Sequence, residues 1–402
     1  MSINRVISHC IGIGISLFLL DFPIAGPIST SRIGFLLILM SFLLKVGHNN
    51  TMVPKMPQYL KPVIISLTFV FTAVIISSVY HMTEVSRVIS WIFLFISLIL
   101  FPRFLNNKEE AELIIKRIAV YSFFLLVILI VYCVQKYGIF AFMNKSLRYG
   151  VNELPPGLNR IMNGVVFANI YVLVYYSIYK TKMAKYLVIL CFIMSFWFVL
   201  SSYTRQGFIL ESILLIGFGR SIYTTFRYKT LGLIIVTLVL GFIFYKITQS
   251  EVFIENFINR TQDQVENDEG STAYRAYLYR RGFEFIENNF FVGIGPDNFL
   301  NYVGKDAHSG YLNVVAETGV LSLLSILILI ISSTVNIVKN YVGGVRNMFF
   351  WMVITIFLAP MFKTIYSLPM FWTGVVIVFF YNNYSINYSV NPKVERDKKL
   401  QE

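Results

Sequence analysis

Arginine and histidine are the residue types in this sequence whose spacing favours chemistry on an anionic substrate. Arg275, Arg280 and Arg281 follow one another closely in a segment of mixed composition, and Arg260 precedes them. A guanidinium group binds phosphate oxygens through two parallel hydrogen bonds, which suits it to a diphosphate. His308 lies further along the same segment, and an imidazole exchanges a proton near neutral pH. This combination favours a phosphate-bearing substrate and a proton-transfer step.

Arg205 stands apart from that group, in the sequence Ser-Tyr-Thr-Arg-Gln-Gly between two apolar runs. Each of these residues also has a structural interpretation. An arginine beside an apolar run is commonly an anchor or a lipid-headgroup contact, which is the simpler reading of Arg280 and Arg281. A histidine in front of an apolar run, such as His308, is commonly a helix cap or a solvated residue.

Metal binding has little support in the sequence. The chain contains no Asp-x-Asp motif, and the acidic residues between 263 and 269 lack the spacing of an EF-hand loop. We therefore expect no metal ion and no cofactor. Asp21 is a rival candidate for a catalytic base, but Asp21-Phe22-Pro23 also reads as a turn that ends a span.

The elements that position these residues are membrane helices. Hydrophobic residues make up 56% of the 402 residues and charged residues only 14%, against about 25% charged in soluble domains. The formal net charge is +13, but the cations are scattered over short loops between apolar runs. That scatter differs from the basic stripe of a nucleic-acid-binding protein and matches the loops of a membrane protein.

Twelve apolar runs are candidate spans, and each must be helical because backbone polar groups need partners in lipid. The runs lie near residues 6–20, 33–45, 61–80, 85–101, 117–136, 160–179, 185–203, 206–223, 230–247, 311–337, 346–363 and 366–385.

Lysine and arginine are concentrated in alternate short loops, which predicts that both termini are cytoplasmic. The chain then divides into nine spans over residues 1–247, a large outer loop over 248–310, three more spans over 311–385 and a tail over 386–402. A loop of that length is usually functional.

The large loop contains elements of its own. Residues 271–286 carry an apolar stripe at helical spacing, and Gly293-Ile294-Gly295-Pro296-Asp297 predicts a turn. His308 then lies at the outer mouth of a span. Glu211 and Glu317 fall inside apparent spans, where a carboxylate is costly and often functional. We interpret Glu317, about 13 Å beyond His308 by helix rise, as a packing or hydrogen-bonding residue.

Three segments together resemble the O-antigen polymerase and ligase superfamily of bacterial envelope glycosyltransferases. They are the Thr204-Arg205 turn, the Arg275 helix with the following 290–299 segment, and His308-Ser309, which nine residues separate from Gly319. The ligase signature of that family is His, then Asn, Ser or Gln, nine residues, Gly, two more residues, and then Gly, Thr or Tyr. This sequence has Ser322 at the last position. The resemblance covers roughly residues 200–325.

The resemblance implies an all-α membrane fold of the GT-C-like kind, with about twelve spans and one large periplasmic loop that contains short helices. It implies an inverting, metal-independent glycosyltransferase in the bacterial inner membrane. Its donor would be an oligosaccharide on undecaprenyl diphosphate, bound by Arg205 and Arg275. His308 would activate the acceptor hydroxyl, and Arg260, Arg280 and Arg281 are additional substrate-binding candidates. Membrane lipids and a chain-length regulator protein are expected partners; nucleic acid is not.

Two reactions within this family share that chemistry. A polymerase joins one lipid-linked repeat unit to another, whereas a ligase transfers the glycan to lipid A-core. We favour the polymerase, because polymerases are the more numerous class and because Ser322 departs from the ligase signature. A polysaccharide flippase or transporter is the alternative from a different class, although it would place charges within its spans rather than at their rims.

Overall fold

The computed structural model describes most of the spans and the second half of the large loop. The described residues are 3–20, 23–25, 28–49, 55–83, 85–138, 158–201, 205–223, 272–305, 307, 309–341, 346–362 and 368–389.

Helices dominate the described residues. In chain order they are α1 (Ile3–Leu17), α2 (Thr30–Asn49), α3 (Lys61–Tyr80), α4 (Val85–Leu100), α5 (Lys108–Tyr137), α6 (Leu158–Tyr179), α7 (Lys182–Ser201), α8 (Arg205–Tyr223), α9 (Thr272–Asn288), α10 (Asn298–Val303), α11 (Gly310–Thr318), α12 (Val320–Tyr341), α13 (Arg346–Phe362) and α14 (Pro369–Ser389). Two 3-10 turns, Gln58–Leu60 and Phe101–Leu105, and a short antiparallel hairpin of β1 (Pro23–Ala25) and β2 (Ile28–Ser29) complete them.

Apolar helices long enough to cross a membrane confirm that the protein is an all-α membrane protein. Within the described residues, six helical stretches meet that criterion by length and composition, and four shorter apolar helices accompany them. The predicted span at 230–247 lies outside the described residues, so the count of twelve stays a prediction. The cytoplasmic location of both termini stays a prediction as well.

Two helices form the centre of the bundle. Residues 163–175 of α6 and residues 370–382 of α14 are buried on every side, as expected for helices that are apolar all round. The helices α3, α5, α7 and α12 instead expose large apolar side chains, among them Ile65, Phe124, Leu190 and Ile331. An apolar face of this kind is what a lipid environment requires. A direct hydrogen bond between Ser66 and Ser325 hydroxyls, 2.7 Å long, joins α3 to α12.

One predicted span differs from the structure. The apolar run at 311–337 was predicted as a single span, but it forms two helices, α11 and α12, that meet at Gly319. Gly319 has φ +79° and ψ −161°, a conformation essentially restricted to glycine. The helical conformation is interrupted at this residue, immediately before the long apolar helix α12.

Replacement of Gly319 by alanine tests the importance of this break. Alanine at this position would have to adopt a backbone conformation that is strained for any residue with a Cβ, at a cost of about 1–3 kcal/mol. Its Cβ would also overlap the carbonyl group of Phe291. We expect Gly319→Ala to lower the unfolding midpoint of the detergent-solubilised protein markedly. Gly304→Ala is the matched control, because Gly304 also has a positive φ but has open space around it. Equal midpoints for the two variants would contradict this account of the break.

Candidate functional site

The described part of the large loop forms one compact unit, which we call the loop module: α9, the turn Gly293–Asp297, α10 and α11. Its two larger helices, α9 and α11, pack closely because Gly282 has no side chain. A Cβ at that position would lie 2.8 Å from the side chain of Leu312. The helix predicted at 271–286 is confirmed as α9, and the predicted turn is confirmed by positive φ values at Gly293, Gly295 and Asp297.

The loop module has a small apolar core of its own. Phe285 and Phe299 meet edge to face, with ring centroids 5.5 Å apart, and the fully buried Leu278 lies beside them. The buried members of this core are Leu278, Ile294, Phe299, Ala307 and Ala316. Every segment of the module contributes to this core, so the module is an ordered unit and not a linker.

Three main-chain hydrogen bonds connect residues 290–295 to the two helix ends at Gly319, and we call them the backbone bridge. They run from Ile294 N–H to Ala316 C=O (3.0 Å), from Gly295 N–H to Glu317 C=O (2.9 Å) and from Val320 N–H to Phe290 C=O (2.8 Å). The last carbonyls of a helix and the first N–H groups of the next have no partner within their own helices. The backbone bridge supplies such partners at the end of α11 and the start of α12.

Two side chains from the end of α3 bind the same backbone. The Ser77 hydroxyl donates to the carbonyl of Glu317 (2.8 Å), and His81 Nε2 donates to the carbonyl of Gly293 (2.8 Å). A carbonyl only accepts, so His81 carries a proton on Nε2. Sequence reasoning missed both residues. The only signal was that His81 follows the predicted outer end of a span, and nothing in the sequence indicated its partner.

The structure confirms the interpretation of Glu317 as a hydrogen-bonding residue. Its side chain is largely buried, and Oε1 accepts the backbone N–H of Phe299 at 3.2 Å. Phe299 lies in the first turn of α10, so the carboxyl group satisfies one of the unpartnered donors at that helix start.

The arginines of α9 differ in their partners. Arg281 donates to Glu284 at 2.6 Å, and Arg280 donates to the other carboxylate oxygen of Glu284 at 3.2 Å. Arg275 is exposed and has no hydrogen-bond or ion-pair partner among the described residues. Its charge is therefore the one on α9 that an external anion meets without competition from a neighbouring carboxylate.

The remaining predicted site residues are described in part or not at all. Arg205 is the first residue of α8, but its side chain is outside the description, as are Arg260, His308 and the rival Asp21. The grouping of Arg205, Arg275 and His308 in one pocket therefore stays a prediction.

The chain on either side of position 308 is held to α11. The N–H of Ala307 donates to the Asn313 side chain (3.4 Å), and the Ser309 hydroxyl accepts the N–H of Leu312 (3.4 Å) as the N-cap of α11. Ser309 is thus a helix cap, and Ala307 belongs to the apolar core of the module.

Comparison with known proteins assigns the same part of the chain to a family. Residues 189–327 match the family model described as O-Antigen ligase, and no curated protein matches the chain significantly. The resemblance to the O-antigen polymerase and ligase superfamily is thereby confirmed. The matched segment runs from α7 into α12 and contains the loop module and every predicted site residue. It supports a function of the O-antigen ligase or polymerase type in a multi-pass membrane protein.

Substitutions of Glu317 test the hydrogen bond to α10. Glu317→Leu removes the acceptor and leaves the buried Phe299 N–H unpaired, at about 1–3 kcal/mol. Glu317→Gln keeps a carbonyl oxygen in that place. We expect the unfolding midpoint to fall clearly for the leucine variant and little for the glutamine variant. A leucine variant as stable as the parent protein would show that this contact is dispensable.

Proposed function

We propose that this protein is an inverting glycosyltransferase that uses a glycan on undecaprenyl diphosphate at the periplasmic face of the bacterial inner membrane. The observation that carries the proposal is the family match over 189–327, because it covers the ordered loop module and every candidate residue except the rival Asp21. The distribution of lysine and arginine favours cytoplasmic termini, and the resemblance implies that no metal ion takes part.

Binding of the donor diphosphate is the role we propose for Arg275 and Arg205. The leaving diphosphate gains negative charge as the glycosidic bond breaks, and positioned guanidinium groups stabilise that charge. Arg275 is exposed and has no carboxylate partner among the described residues, which favours it over its neighbours on α9. Arg280 and Arg281 both pair with Glu284, so we propose only a secondary role in substrate binding for them. Arg260 is likewise a secondary candidate.

Activation of the acceptor is the role we propose for His308. The acceptor hydroxyl oxygen attacks the anomeric carbon from the face opposite the diphosphate, and the bond from that carbon to the phosphate oxygen breaks. Undecaprenyl diphosphate leaves with the bonding electrons, and the imidazole takes the hydroxyl proton. The anchoring of Ala307 and Ser309 to α11 supports a fixed position for a base between them.

The position of the loop module supports a lipid-linked donor. The module is attached to the ends of the apolar helices α3 and α12 by the backbone bridge, Ser77 and His81. A diphosphate on a membrane lipid lies at the headgroup level, where these helices end. We therefore expect an arginine on α9 to lie within the layer in which such a substrate diffuses.

Polymerisation of lipid-linked repeat units is the activity we favour. The ligase is the second candidate, favoured because the matching family is described as O-Antigen ligase. Ser322, where the sequence departs from the ligase signature, is buried and its hydroxyl shares a hydrogen bond with Thr318 (2.5 Å). That position therefore serves the packing of the helix break, and the choice between the two reactions depends on the acceptor.

Deletion of the gene, followed by gel analysis of the envelope glycans, distinguishes these functions. A polymerase predicts surface glycans that carry a single repeat unit. A ligase predicts a polymer that remains on its lipid carrier. A flippase predicts that lipid-linked repeat units accumulate on the cytoplasmic face. Unchanged glycans in the deletion strain would contradict every one of these assignments.

Replacement of His308 tests the proposed base. General-base catalysis contributes about 10²–10⁴-fold, so His308→Ala should remove glycan transfer while the protein remains in the membrane. His48→Ala is the matched control, because His48 is an exposed histidine at the far end of α2. Transfer at the parent rate by the His308 variant would remove the base assignment.

Conservative replacement of Arg275 tests the diphosphate contact. Lysine keeps the charge but cannot form two parallel hydrogen bonds. Arg275→Lys and Arg275→Ala should therefore both lower transfer, by about 10- to 100-fold if one charge-assisted hydrogen bond is lost. Glu287→Gln, another exposed position on α9, is the control. Normal transfer by the lysine variant would exclude the bidentate contact.

A further inference from the structure

A group of polar side chains lies inside the bundle, where α6, α7 and α8 meet. Glu211 of α8 and Ser195 of α7 are fully inaccessible to solvent, and Asn169 of α6 is nearly so. Glu211 lies about 9 Å along the helix from Arg205, the first residue of α8. The group is separate from the loop module, and the proposed function assigns no role to its residues.

The hydrogen bonds within this group leave two acceptors without a donor. Asn169 Nδ2 donates both of its protons, one to Glu211 Oε2 (2.6 Å) and one to the Ser195 hydroxyl (2.7 Å). The Ser195 proton goes to the carbonyl of Cys191 (2.7 Å). Asn169 Oδ1 and Glu211 Oε1 are both buried without a hydrogen-bond partner.

A proton on Glu211 resolves this imbalance. An ionised carboxylate only accepts, and an uncompensated charge inside a membrane bundle costs several kcal/mol or more. No lysine or arginine pairs with Glu211 in the described part of the chain. A protonated carboxyl group carries no charge and supplies one donor, and Asn169, the residue that Glu211 already contacts, has a buried acceptor without a partner.

We propose that Glu211 is a neutral carboxylic acid, paired with the Asn169 amide, and that this acid–amide pair fixes the position of α8 along α6. A second contact supports this: Gln206 Nε2 donates to Asn163 Oδ1 at 3.0 Å. Residues 163 and 206 pair near the start of each helix, and residues 169 and 211 pair further along. The two helices therefore run in parallel, with their relative depth set at two points.

The consequence for function concerns Arg205. Because α8 begins at Arg205, a shift of α8 along α6 changes the depth of that arginine relative to the membrane surface. Glu211 thus acts as a positioning residue through Arg205, and this part of the inference rests on the proposed function. The protonation of Glu211 does not rest on it.

Infrared difference spectroscopy and variants of Glu211 test the two parts separately. At neutral pH the parent protein should show the C=O stretch of a protonated carboxyl group that is lost in Glu211→Gln. Glu287→Gln, the control at an exposed acid, should leave that band unchanged. An amide has the same acceptor and donor as a carboxylic acid, so Glu211→Gln should keep glycan transfer within about twofold, whereas Glu211→Ala should lose about tenfold or more.

Two results would overturn the inference. If the parent and Glu211→Gln spectra do not differ in the protonated-acid region, Glu211 is ionised and the acid–amide pair is wrong. If Glu211→Gln loses transfer as fully as Glu211→Ala, the carboxylate itself is required and the positioning role is wrong. If Glu211→Ala does not accumulate in the membrane, the transfer activity of Glu211→Gln and the infrared band of the protonated acid still test the inference. Full transfer by Arg205→Ala would overturn the proposed role of Arg205 and the positioning role of Glu211. It would leave the protonation of Glu211, which the infrared band tests, unaffected.

Discussion

The break between α11 and α12 imposes the constraint on which the loop side of this protein depends. A helix that stops at the edge of a membrane leaves carbonyl and N–H groups without partners, and lipid offers none. The chain satisfies part of this demand with residues 290–295, which fold back through the backbone bridge. Ser77 and His81 of α3 bind the same segments. The loop module is therefore held by groups that the membrane helices themselves require.

The charged residues of the loop module and of the bundle interior differ in their surroundings. The arginines of α9 are carried on a module with its own apolar core, and one carboxylate, Glu284, partners two of them. Arg275 is left exposed to solvent. Inside the bundle Glu211 has only neutral partners, which is consistent with a neutral acid. Cationic groups thus lie on the loop module, where we propose that they bind a lipid-linked diphosphate, and the proposed protonation of Glu211 avoids a charge where α6, α7 and α8 meet.

Much of this architecture was predictable from the sequence because lipid imposes a simple rule on apolar runs. The helices at α3, α7 and α13, the amphipathic helix α9 and the Gly293–Asp297 turn follow from apolar periodicity and from glycine and proline placement. The division of 311–337 into two helices did not follow. Gly319 lies within an apolar run, and the residue that leaves no space for a Cβ at this position is Phe291, which is distant in the sequence.

The side-chain contacts of the site were less predictable than the helices. His81 and Ser77 bind a segment more than half the chain away, and one sequence contains no record of that proximity. Glu211 was recognised as costly in a span, but its partner Asn169 is an unremarkable residue in an apolar helix. The arginines of α9 were all found from their residue type, and only their contacts with Glu284 separate Arg275 from its neighbours.

Binding of undecaprenyl diphosphate to the purified protein in nanodiscs tests the central claim most directly, because it requires no acceptor and no turnover. The account predicts saturable binding that Arg275→Ala weakens about tenfold or more, and that His308→Ala leaves unchanged, since the base acts on the acceptor. Equal binding by the parent protein and Arg275→Ala would contradict the claim that the exposed arginine of the loop module binds the lipid diphosphate.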